Sequence, residues 1–66
     1  MKYRALLRVF QRHGVTFIRH GRGDHEIWGV GECSTTVVRA NEIAPGTLRN
    51  IQRDLAPCLG EGWLDR

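Results

Sequence analysis

No stretch of apolar residues longer than three occurs in this 66-residue chain, whereas a helical membrane span needs roughly 20 in succession, so such a span is excluded. Acidic residues are missing from the first 23 positions, and lysine occurs once in the whole chain. Cysteine is scarce as well: Cys33 and Cys58 are too few for the disulfide framework of a small secreted domain, so reduced thiols in a cytoplasmic setting are expected. Aromatic residues make up only 8% of the chain, which assigns Phe17 and Trp28 to the core rather than to base stacking. Size sets the last exclusion. A chain this short buries only about 60% of the surface its unfolded form exposes, leaving little room for a deep catalytic pocket. Chemistry is therefore expected from one or two exposed side chains acting on a substrate that brings its own shape and charge.

What is present is arginine. Nine of the ten cations are Arg, the side chain suited to planar, bidentate phosphate contacts, and the net charge is +3. Their placement is uneven: Lys2, Arg4, Arg8, Arg12, Arg19 and Arg22 face Asp24 alone in the first 25 residues, while acids outnumber cations in the rest. Such polarity suits a polyanion on one side of a small domain, against the plain alternative of a solvated face. The acid-free beginning superficially resembles a transit peptide or a surface-binding amphipathic helix. It passes straight into strand-like sequence after Gly14, however, so it is expected to belong to a single domain over residues 1–66.

Helical periodicity places Tyr3, Leu6, Leu7 and Phe10 on one face and Arg4, Arg8 and Arg12 nearly opposite, predicting a helix over residues 2–13 capped by Gly14. β-Branched and aromatic density predicts strands at 15–18, 25–28 and 34–38, with turns at residues 21–24 and between Gly29 and Gly31. After a connection over 39–44, Pro45 suits the first turn of a second helix, in which Leu48, Ile51 and Leu55 share a face and which Pro57 is expected to stop. The reading is an α+β fold, α-β-β-β-α, with a three-stranded antiparallel sheet and both helices on one face to share a core. The tail over 57–66 is left open between Trp63 folding back onto the core edge and fraying.

Among the chemistry-bearing residues, GRGDHEIW (21–28) stands out, because a glycine-rich basic turn delivers His25 to the start of a strand. Glycines let backbone approach a phosphate, Arg22 adds a charge-assisted donor, and an imidazole titrates in the range that proton transfer at neutral pH needs. RNA carries its own nucleophile, the 2′-hydroxyl, so one histidine beside a phosphate clamp can suffice for cleavage. The alternative is a hairpin histidine that only packs or hydrogen-bonds. No His, Cys, Asp or Glu falls in a paired metal-ligand spacing, so neither metal nor cofactor is expected. Cys33 and Ser34 have no evident base to activate them. EIAPGTLRNI (42–51) opens the second helix with free N–H groups at its positive end, where Thr47 and Arg49 can add phosphate contacts or serve as a cap and a solvated charge.

Taken together, the order α-β-β-β-α, the string GRGDHEIW and the string EIAPGTLRNI resemble the HicA-type toxins of bacterial toxin–antitoxin systems, over about residues 3–59. The resemblance implies a double-stranded-RNA-binding-domain-like fold and a metal-independent endoribonuclease that cleaves mRNA. It further implies a catalytic histidine at His25, Gly23 as part of the motif, and neutralisation by a HicB-type antitoxin covering the active surface. On electrostatic grounds Arg19, Arg22 and Arg49 join Gly23 as candidate RNA-binding residues. A non-catalytic RNA-binding module is the rival reading, and a protein-binding adaptor a third. Two departures stand out: Val38, Arg39, Ala40 and Asn41 replace the Pro- and His-containing exit from the third strand seen in many members, and Asp24 and Glu26 flank His25 where Ser or His is common. These carboxylates either orient His25 or repel a substrate phosphate.

Overall fold

Leu6, Val9 and Phe10 recur at the spacing of a buried helical face, and they anchor α1 (Tyr3–Arg12) against a sheet. A computed structural model describes residues 1–65, with β1 (Thr16–His20), β2 (His25–Val30), β3 (Cys33–Val38), α2 (Pro45–Leu59) and a closing 3₁₀ turn, Trp63–Asp65. The sheet order is β1-β2-β3, antiparallel throughout. The α+β order and the three-stranded meander are those expected from the sequence, with strand ends displaced by one or two residues.

Alternation decides which residues meet the helices. Glu26, Trp28, Thr35 and Val37 face them; His25, Ile27, Thr36 and Val38 take the open side. The core joins Leu6 and Phe10 of α1 to Val37 of β3 and Ile51 and Leu55 of α2, all fully buried. The Thr35 hydroxyl donates to Asp54 Oδ2 at 2.9 Å, tying β3 to α2. At the other end of the core, Trp63 is fully buried, its Nε1 donating to the Gln52 carbonyl at 2.9 Å and its ring lying near Phe10 and His13. The tail therefore folds back. Trp63→Ala is expected to lower unfolding free energy by about 3–5 kcal/mol, read as a fall in the urea midpoint.

Four expectations are corrected. Cys33 and Cys58 are not free thiols but a disulfide, with Cα atoms 6.2 Å apart. Packing of α2 along β3 brings together residues 25 apart in sequence, a proximity that spacing does not reveal. Pro57 does not stop α2: it removes one donor in the last turn, and the helix runs on to Leu59, pinned from outside by Cys58 and ended by Gly60. Phe17 is not core. It is 43% exposed on β1, an edge strand beyond the cover of both helices, with the rings of Trp28 and His20 beside it. Gly29, finally, is no turn residue; it lies buried inside β2, where a Cβ would come within 2.7 Å of the Cys33 carbonyl and 2.6 Å of Ile18. The turn is at Gly31 and Glu32.

Candidate active site and basic groove

The β1–β2 turn is built around one carbonyl. Arg22 O accepts the backbone N–H of His25 at 2.9 Å and lies 2.8 Å from His25 Nδ1. A carbonyl only accepts, so Nδ1 carries a proton in this contact and Nε2 is the ring nitrogen presented to solvent. Gly23 supports the geometry with a φ of 56°, a conformation that a Cβ disfavours. Gly21 lies opposite His25, donates its N–H to the His25 carbonyl at 2.8 Å, and a Cβ there would stand 3.2 Å from the His25 Cβ. The glycines let the turn close tightly around His25, a role distinct from the phosphate approach that the sequence pattern suggests. His25 is the first residue of β2, exposed, on the open face and paired with Val38.

The two flanking carboxylates part company. Glu26 is buried on the helix face, where its Oε1 accepts from the Tyr3 hydroxyl at 2.6 Å and from Trp28 Nε1 at 3.0 Å. It is turned away from His25 and holds α1 to the sheet. Burial pushes the Tyr3 hydroxyl up to about 12, reinforced by the hydrogen bond to Glu26 and its charge and opposed by Arg39. A raised phenol pKa means this contact contributes fully below about pH 10 and is lost as pH climbs through the raised value. Asp24 stays on the solvent side, its carbonyl accepting the Arg39 N–H at 2.9 Å.

Asp24 and Arg39 border an open groove of about 930 Å³ at this end of the sheet, with Lys2 before α1 and Arg4 and Arg8 of its first turns on the other bank and Tyr3 among its lining. His25 is the next residue after Asp24, and its strand partner Val38 is the residue before Arg39. His25 thus adjoins the groove through its chain neighbours, while its imidazole stands on the open face of the sheet, outside the groove lining. Lys2 is paired with Glu42 at 3.1 Å, and that cation, with the N-terminal ammonium, holds the Glu42 carboxyl below its usual value. Among the described residues no group of three or more His, Cys, Asp or Glu is placed to hold a metal ion, and no helix is long and apolar enough to cross a membrane.

The family description for the HicA toxin of bacterial toxin–antitoxin systems matches residues 3–56, from the start of α1 into the last turns of α2. The chain belongs to the HicA toxin family. As a HicA toxin it is the toxic half of a pair whose other half is an antitoxin. No curated protein and no solved structure matches the chain.

Of the candidate residues in this HicA toxin, His25, Arg22 and Gly23 are brought together in the one turn. Arg19 lies on β1 opposite Ile27, with Nη1 3.4 Å from the His20 carbonyl. Arg49 is not part of this assembly; it borders a separate depression along α2 with Gln52, Arg53 and Glu61. Thr47 does not cap α2 either, since Ala44 is the N-cap and no side-chain cap bond is made. The groove itself is not legible in the sequence, because Arg39 joins Arg4 and Arg8 only through the β3–α2 connection. A usable signal was there: Arg4 and Arg8 stand four apart on a helix without a single acid to compensate them.

Proposed function

We propose that this toxin is an endoribonuclease that cuts mRNA using His25 as its proton carrier, and that a HicB-type antitoxin silences it by covering the face on which His25 stands. The observation that carries the reading is the 2.8 Å contact of Nδ1 with the Arg22 carbonyl, which leaves Nε2 as the free basic position on a turn that itself carries an arginine. In the reaction, Nε2 takes the proton of a ribose 2′-hydroxyl. The 2′-oxygen then forms a bond to the adjacent phosphorus while the bond from phosphorus to the 5′-oxygen breaks, and the departing oxygen receives a proton from the imidazolium or from water. Products are a 2′,3′-cyclic phosphate and a 5′-hydroxyl, with atoms and charge balanced and no cofactor consumed. Arg22 supplies a cation for the phosphate, and the exposed Gly23 lets the backbone approach it. Its target puts the toxin's place of action in the cytoplasm. Exposed Ile18 and Val38 on the open face give an antitoxin apolar contacts beside the histidine.

Induction of the wild-type chain and of His25→Ala in a bacterial host, with growth and total mRNA integrity followed together, tests the reading. Arrest and fragmented mRNA are expected from the wild type alone. Harmless wild-type protein that is folded and abundant would leave an RNA-binding module without cleavage as the better account.

A further inference from the structure

Three cations of the groove are arranged at a cost the protein itself does not offset. Arg4 and Arg8 lie four residues apart on the exposed side of α1, about 6 Å along its axis, a spacing at which like charges destabilise a helix. Arg4 also sits in the first turn, next to the positive end of the helix, where cations are disfavoured and acids would normally stand; this first turn holds none. Arg39 reaches the same space from the β3–α2 connection, close enough to Tyr3 to act on its hydroxyl. No carboxylate among the described residues forms an ion pair with Arg4, Arg8 or Arg39, since Glu42 is taken up by Lys2 and the N-terminus. An anion running through the groove offsets both repulsions and pairs with all three cations at once. The 6 Å step between Arg4 and Arg8 is also comparable with the distance between neighbouring phosphates of one RNA strand.

We infer that this groove is the binding track for the RNA backbone on one side of the scissile bond, with Arg4, Arg8 and Arg39 each engaging a phosphate. The inference rests on the endoribonuclease reading and deepens it by assigning where the substrate lies. A strand in the groove leaves it past Asp24 and Arg39 and rounds the end of the sheet to the open face, where His25, the residue after Asp24, is paired with Val38, the residue before Arg39. Asp24, the one acid on the lining, stands at this exit, its carbonyl bonded to the Arg39 N–H. Because the contacts are to phosphates, the track carries no base preference of its own.

Binding of a fluorescein-labelled single-stranded RNA to the His25→Ala protein, titrated over a range of salt, decides it. Against that background, combined Arg4→Gln, Arg8→Gln and Arg39→Gln is expected to weaken binding at least about tenfold and to flatten the slope of log affinity on log salt by about 2, while Arg53→Gln outside the groove leaves both unchanged. If the His25→Ala protein binds no RNA, the endoribonuclease reading falls and the track with it. If it binds RNA and the triple variant binds as tightly with the same slope, the track is overturned and the reading stands. An equal loss from Arg53→Gln would reduce the effect to net charge and overturn the track as well. Loss of antitoxin capture by the triple variant with RNA binding intact would assign the groove to the protein partner instead.

Discussion

Purified His25→Ala is expected to cleave RNA about 10²–10⁴ times more slowly than the wild type while binding it equally well, the size usual for removal of a positioned general acid or base. The separation of rate from affinity is the informative part. His25 is exposed, makes no contact with the core, and its backbone bonds to Arg22 and Gly21 survive truncation of the ring, so the fold and the arginine surface are untouched. Gly21→Ala tests the aiming of the ring independently. Its Cβ would press on that of His25 at 3.2 Å, so an intermediate loss of rate with unchanged urea midpoint and RNA affinity is expected. Parallel quantitation of cleavage and of filter-retained RNA for the three proteins checks both. A rate unchanged in His25→Ala would remove the imidazole from the mechanism.

Reduction of the Cys33–Cys58 bond is the second large effect. It closes a loop between residues 25 apart, and the entropy such a closure removes from the unfolded chain corresponds to about 3.5 kcal/mol at 25 °C, a factor of several hundred in the ratio of folded to unfolded molecules. In a domain whose core alone supplies only ~3–5 kcal/mol, that is a large fraction of the total. The bond also anchors the last turn of α2, which Pro57 deprives of one backbone hydrogen bond, to the start of β3. Urea unfolding with and without a thiol reductant should show a marked drop in midpoint for the wild type. Combined Cys33→Ser and Cys58→Ser should match the reduced protein under both conditions. Equal midpoints with and without reductant would rule the bond out as a source of stability. Under conditions that keep thiols reduced, the protein is expected to lack this constraint and to be correspondingly easier to unfold and degrade.

Much of the site was legible because it is local. The turn that aims His25 lies within five residues, 21–25, which hold its glycines, its arginine and its histidine. The same holds for α1, whose apolar and basic faces repeat within three turns. Glu26 was harder to read, since as a neighbour of His25 it invited a role in tuning the imidazole. Strand alternation turns it to the opposite face, and what occupies that face, the Tyr3 hydroxyl and the Trp28 indole, depends on how α1 docks.

Residue order alone determined the element succession, the position of His25 at a strand start, the basic stripe on α1 and the membership of a toxin family, all consequences of periodicity and of motifs confined to a few neighbouring residues. Tertiary structure decided the rest. It paired Cys33 with Cys58, left Phe17 on an uncovered edge, buried Trp63 under α2, carried that helix past Pro57 and brought Arg39 to Arg4 and Arg8. Each of these depends on which surfaces pack together across some twenty residues or more, or on a packed neighbour outweighing a local preference. Short-range pattern has no access to either, because packing free energy is shared among elements rather than written in any one of them.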